Sequence, residues 1–271
     1  MLIYAGLRAE KYLANNAPDQ DMAKILEAEE NIRKIAPRKL VLISTIDVFK
    51  NPLGVDETSP VVTEGLHAYG LNRYRLEKWV RENYKDALIV RLPGLFGHNL
   101  KKNFIYDLIH KIPTMLSEGK MSELATKDSL LNQCYERQAN GFYKLKEINT
   151  EERRELKNVF EKLGFTALNF TDSRNTYQFY DLTRLWDDIQ TAIQAEIHLL
   201  HPATEPICAG ELYQHLTGQD FCNEFLEIPV KYDYRTGYAE VFGGHDGYIY
   251  DKKTVLEQIT TFVQEGWRNE E

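Results

Sequence analysis

Short apolar runs alternate with longer stretches of helical period through the first hundred residues. Leu40-Val41-Leu42-Ile43 is unbroken, as in a strand buried on both faces of a parallel sheet, and Ala87-Leu88-Ile89-Val90-Arg91 repeats the pattern. Leu2 to Ala5 reads as a further strand, and Arg8 to Gln20, with Asn15, Asn16 and Pro18, as a polar loop. Asp21 can cap a helix whose Met22, Ile25, Ala28 and Ile32 fall at i, i+3 and i+4 spacings, closed by Pro37. A second helix opens near Tyr69 and runs to Tyr84, with Tyr74, Leu76, Trp79 and Val80 on its inner face. These β-α-β units predict right-handed crossovers.

Beyond Pro93 and Gly94 the period becomes mostly helical. Phe104, Leu108, Ile109 and Ile112 give one helix stopped by Pro113; Leu124 to Tyr135 and Glu151 to Leu163 give two more, the last ended by Gly164. Phe165 to Phe170 reads as a short strand. Tyr177 to Leu182 reads as another, ahead of an acidic, apolar-striped helix from Thr183 to Leu200. After an aromatic, Gly-rich stretch from Tyr232, Thr254 to Trp267 forms a closing helix with Val255, Ile259, Phe262 and Val263 on one stripe.

Candidate chemistry gathers around the Leu40 strand. Ser44 and Thr45 sit at its carboxyl end, the edge of an open α/β sheet where ligands bind. Tyr69 follows 24 residues after Thr45, and Arg73 lies one helical turn further on the same face. A hydroxyl, a phenol and a cation can thus converge. The plain alternative is that strand-end hydroxyls bond local backbone, and Tyr69 is one of 16 tyrosines. An unassisted phenol, with a pKa near ~10, is a poor base at neutral pH.

The residues Ile43-Ser44-Thr45-Ile46-Asp47-Val48-Phe49, then Tyr69 with a cation four positions on, then Val90-Arg91-Leu92-Pro93-Gly94-Leu95-Phe96-Gly97 resemble the extended short-chain dehydrogenases/reductases. That family acts on nucleotide sugars as epimerases, dehydratases and reductases. The resemblance implies that Thr45 hydrogen-bonds the reacting oxygen, that Tyr69 is the acid/base, and that the cation at Arg73 binds the nicotinamide ribose. It implies cofactor contacts at Ala5, Gly6, Ser44 and Pro93, with NAD or NADP as cofactor. It places substrate contacts at Asn103 and at two arginines suited to a diphosphate, Arg174 and Arg235. Asp47 stands where the dehydratase branch has the second of two carboxylates. The first is Ile46 here, which favours epimerase or reductase; local bonding to a loop amide is the plain reading of Asp47.

Two departures bear on function. The family opens with a strand and a Gly-rich turn that lays the pyrophosphate on a helix N-terminus. Leu2 to Ala5 instead resembles the family's fourth strand, so by resemblance the first three strands and two helices are absent from the chain as numbered. Arg73 replaces lysine, and its planar fork does not preserve a single-point ribose contact. The expectation is an α/β fold: a Rossmann-like parallel sheet missing its first strands, with a smaller, mainly helical substrate domain. Its segments are a partial dinucleotide-binding-like core at 1–98, a helical insertion at 99–166, a return to the core at 167–200, and a C-terminal substrate segment with closing helix at 201–271. The function implied is an impaired NAD(P)-dependent nucleotide-sugar epimerase/reductase; the alternative is a non-catalytic remnant, with no cofactor bound, that holds a nucleotide sugar or a protein partner. The bared first strand predicts a homodimer.

Composition narrows the remaining classes. The net charge of −8 argues against a nucleic-acid partner. No apolar run approaches membrane-helix length, and three cysteines without metal spacing fit a reduced, cytoplasmic setting. His198 and His201 lack partners at metal spacing and read as solvated or capping side chains.

Overall fold

The computed structural model describes residues 1–101 and 103–270. They form two compact units, each assembled from separate stretches of chain: residues 1–95, 176–207 and 230–255 make the first, and the described residues within 96–175, 208–229 and from 256 onward the second.

The first unit is built on a parallel sheet in the order β1 (Leu2–Tyr4), β2 (Leu40–Thr45), β3 (Leu88–Leu92) and the short strand Leu199–Leu200. Leu2 pairs with Leu40, Val41 with Leu88, and Leu199 with Ile89. Because side chains alternate along a strand, Leu40, Leu42 and Ile89 point to one face. They bury Ile25, Ala28 and Ile32 of α2 (Pro18–Ile35) and Leu76 and Val80 of α3 (Ala68–Asn83). Val41, Leu88 and Val90 point the other way and pack Ile189 and Ala192 of the helix Leu185–Gln194. Each buried leucine, isoleucine or valine among them contributes about 1.5–3 kcal/mol relative to exposure. Helices on both faces explain why the strands read as unbroken apolar runs.

Several boundaries differ from the sequence pattern. The supposed loop before α2 contains α1 (Lys11–Asn16), a six-residue helix with one buried side chain, Ala14. Pro18 occupies the first turn of α2, where its fixed φ suits a helix start. That start puts Asp21 inside the helix rather than at its cap. The helix expected to reach Leu200 ends at Gln194; Glu196 then takes φ 54° and the chain re-enters the sheet.

In the second unit the helices Asn103–His110, Glu118–Ala125, Leu130–Cys134, Thr150–Lys162 and Ala209–Thr217 accompany a three-stranded antiparallel sheet of Met115–Leu116, Tyr143–Leu145 and Tyr135–Arg137. Its core holds Leu116, Met121, Leu124, Leu131, Leu156 and Phe160. The single helix expected from Leu124 to Tyr135 is broken because the Asp128 carboxylate takes the Leu130 N–H and starts a new turn. Residues 165–170 form a capped 3-10 turn at Ala167–Phe170 rather than a strand, since the Thr166 side chain accepts from Leu168.

Candidate functional site

At the carboxyl end of β2 the chain leaves the sheet through a 3-10 turn, Ile46–Val48. The Thr45 hydroxyl caps it by accepting from the Asp47 N–H at 3.2 Å. The α3 helix enters against this turn so closely that a Cβ on Gly70 would collide with the Asp47 carbonyl. The approach sets Tyr69, on the first turn of α3, beside Thr45 and Asp47. His67 caps the helix, its Nδ1 accepting from the Gly70 N–H at 3.0 Å, which leaves the ring proton on Nε2 by hydrogen-bond assignment.

Tyr69 is buried, and burial pushes its phenol above the ordinary value. Arg73 and the neighbouring Thr45 hydroxyl oppose the rise, while Asp47 adds to it. Tyr69 is therefore a proton-bearing phenol at neutral pH, suited to donating rather than to removing a proton. Arg73 lies across the face of the ring, its guanidinium carbon 3.8 Å from the centroid.

The fork of Arg73 is committed elsewhere. Its Nη1 donates to both Asp21 carboxylate oxygens, at 3.1 and 2.8 Å, and to the Tyr69 carbonyl at 3.1 Å; Nη2 donates to the Arg8 carbonyl and to Asp21. The Asn72 amide also reaches Asp21, at 2.9 Å. With Arg73 only 5% exposed, this is a buried ion pair joining α2 to α3.

Asp47 is met by two groups that sequence reasoning did not single out. Lys11 Nζ, on α1, lies 3.1 Å from Oδ1, and the Tyr232 hydroxyl donates to the same oxygen at 3.1 Å. α1 is held there from its other end by Asn15, whose side-chain oxygen accepts the Tyr69 N–H at 3.0 Å. Beneath Tyr232, Tyr234 is wholly buried among Ile46, Val48 and Phe49, and its hydroxyl has no partner among the described residues. Lys11 sits in a stretch whose asparagines and proline read as loop, and Tyr232 lies 185 residues from Asp47, so no local signal marks either.

Ser44 points to the opposite face of β2 from Thr45. Its hydroxyl donates to Glu77 Oε1 at 2.6 Å, and Glu77 is wholly buried against Arg91 Nε and Nη2. Arg91 Nη1 then faces His201 Nε2 at 3.2 Å. His201 is wholly buried rather than solvated, and burial, with Arg91 beside it, pushes its pKa down to about 3. The neutral ring lets Nδ1–H donate to the Arg235 carbonyl at 3.2 Å.

The other expected contacts are placed as follows. Ala5 and Gly6 are exposed at the end of β1, and Pro93 is half-buried after β3. A cleft of about 780 Å³ opens beside β1, lined by Tyr4, Gly6, Arg8, Leu13, Asp21 and Arg73 among others. Arg235 pairs with Asp233 at 3.1 Å and stacks on Tyr248 at 3.9 Å. In the second unit, Arg174 holds Asp172 through Nε and Nη2, at 2.9 and 2.8 Å. That fork, with the Phe225 and Leu226 N–H groups, keeps the Asp172 carboxyl well below the usual carboxylate range. Asn103 opens its helix at φ 69°, its side-chain oxygen accepting from Ile105 at 3.0 Å. Among the described residues no helix is long and apolar enough to cross a membrane, and no His, Cys, Asp and Glu cluster could hold a metal.

Neither a family model nor a curated protein matches this sequence. Solved structures do match in fold. A UDP-N-acetylglucosamine 4-epimerase from Methanobrevibacter ruminantium, in complex with UDP-N-acetylmuramic acid, superposes with a TM-score of 0.57 at 12% identity, over 98% of this chain and 75% of that one. A dTDP-4-dehydrorhamnose reductase from Yersinia enterocolitica gives 0.56 at 13%, over 98% and 80%. RMD from Pseudomonas aeruginosa, complexed with NADPH, gives 0.54 at 12%, over 98% and 80%. The chain has the Rossmann-like α/β fold of these epimerases and reductases.

Proposed function

We propose that this chain binds a nucleotide sugar and that Thr45, Asp47 and Tyr69 hold hydroxyl groups of the sugar. The observation that supports this reading is their convergence at the carboxyl end of β2, where a carboxylate, a protonated phenol and a hydroxyl offer matched acceptors and donors to a polyol. The nucleotide-sugar complexes among proteins of the same fold support the ligand class. Arg235, in the same unit, remains a proposed diphosphate contact, about one-third exposed and able to exchange part of its carboxylate pairing for phosphate.

The cofactor implied by the fold, NAD or NADP, does not fit the described residues. By resemblance the nicotinamide ribose takes a cation one helical turn after the tyrosine, and both terminal nitrogens of Arg73 are spent on Asp21 and two carbonyls. A pyrophosphate needs a Gly-rich strand-to-helix turn; β1 is followed by Ala5-Gly6-Leu7-Arg8, β2 by the Thr45-capped turn, and β3 by Pro93. The formal charges along the cleft beside β1 also cancel, with Arg8, Lys24 and Arg73 set against Glu10, Asp21 and Glu27. The proposal therefore assigns binding without nicotinamide chemistry. The second reading, an NAD(P)-dependent epimerase or reductase, is favoured by the juxtaposition of Thr45 and Tyr69.

Calorimetric titration with UDP-N-acetylglucosamine, UDP-glucuronic acid, NAD, NADH and NADPH separates the two. A nucleotide sugar is expected to bind and the dinucleotides are not; tight binding of NAD or NADPH would overturn the first reading in favour of the second. We also propose self-association through β1, whose outer edge has no partner strand among the described residues. Sedimentation should give a dimer, and a monodisperse monomer would refute it.

A further inference from the structure

Asp47 has an asymmetric environment. Lys11 and Tyr232 both address Oδ1, and no described residue is hydrogen-bonded to Oδ2. The three residues come from distant parts of one unit, and each is anchored where it stands. Asp47 lies in a turn pressed against Gly70. Lys11 rides on α1, which Asn15 pins to the first turn of α3 and Ala14 buries. Tyr232 is stacked on Tyr177, ring centroids 6.4 Å apart, and is followed two residues later by the fully buried Tyr234.

A carboxylate held at one oxygen by an ammonium and a phenol has its χ1 and χ2 fixed. Its second oxygen is then a directed acceptor with one-fifth of the side chain still exposed. A single half-exposed ion pair would not achieve this, since such pairs are weak and mobile; the phenol, tied to a buried segment, supplies the rigidity. We propose that Lys11 and Tyr232 are positioning residues that fix Asp47 Oδ1 and so aim Oδ2 at a hydroxyl of the bound sugar. This deepens the nucleotide-sugar reading and rests on it for the identity of the ligand.

Two measurements decide it. In the unliganded protein, three-bond couplings to the Asp47 carboxyl carbon should report one χ1 rotamer, and a Lys11→Met/Tyr232→Phe double variant should report rotamer averaging. A single rotamer surviving in the double variant overturns the positioning role, whatever the ligand is. In calorimetry, Lys11→Met and Tyr232→Phe should each weaken UDP-N-acetylglucosamine about tenfold, the scale of one hydrogen bond to a charged group. UDP itself should bind them unchanged, and Lys11→Arg should retain the affinity for the sugar nucleotide. Unchanged affinity for the sugar nucleotide in both single variants overturns the aim of Oδ2 while the functional reading stands. If the unmodified chain binds no sugar nucleotide, the functional reading and the role of Oδ2 fall together, and the couplings still decide whether Asp47 is held.

Discussion

Arg73 shows how one side chain can satisfy a sequence pattern and yet serve a different purpose. Its spacing from Tyr69 is that of a site cation, but its fork closes on Asp21 and the Arg8 carbonyl, 52 and 65 residues away. Only the folded chain brings those acceptors to it. Replacing it with lysine, the residue its position suggests, should cost about 2–3 kcal/mol in urea unfolding, because a point charge cannot serve all the acceptors of a buried planar fork. Unchanged stability would mean that Arg73 is free for a ligand. His67 gives an independent check on Lys11. Burial, then Lys11, hold its pKa below 6.5, while Asp47 pulls it up. In proton NMR titrations Lys11→Met should raise the His67 pKa and Asp47→Asn should lower it. Thr45 and Tyr69 were legible because a strand end and a helix start are local signals. Lys11, Tyr232 and Asp21 were not, because their partners lie elsewhere in the chain.

Among the elements, β2 and α3 carry the candidate site, and their junction depends on Gly70. Gly70→Ala should lower stability by about 3 kcal/mol, since the added methyl has backbone rather than a movable side chain in its way. Gly119→Ala, in a helix with open space around the glycine, should be neutral or stabilising by about 0.5–1 kcal/mol. Thermal unfolding of the two variants side by side checks the contrast. The long apolar strands and amphipathic helices could be read in advance because period alone specifies them. α1 could not, since it is short, carries two asparagines near its end, and is held by Lys11 and Asn15 contacts to distant residues. The Leu199–Leu200 strand was hidden for another reason: its two leucines continue a helical stripe, and the break depends on the backbone at Glu196.

For the molecule as a whole, the buried array of Glu77, Arg91 and His201 predicts acid sensitivity. His201 is neutral in the folded chain with a pKa of about 3, against 6.5 for the free side chain. A depressed histidine contributes stability that is complete above about pH 6.5 and is lost as the pH falls towards 3, by at most ~1.4 kcal/mol per pH unit. Urea midpoints measured from pH 7 to pH 4 should therefore fall, and His201→Gln should flatten that slope whatever it does to stability at pH 7. An equal slope in the variant would place the acid sensitivity elsewhere. The interleaving of the two units has a consequence for the order of synthesis. The first is not complete until residue 255 and the second needs residues beyond it, although each begins within the first 96. A ribosome releasing this chain vectorially would expose the outer edge of β3 well before Leu199–Leu200 arrives to flank it. Long-range closure of this kind slows folding, so the apolar strands stay uncovered until the later segments have been made.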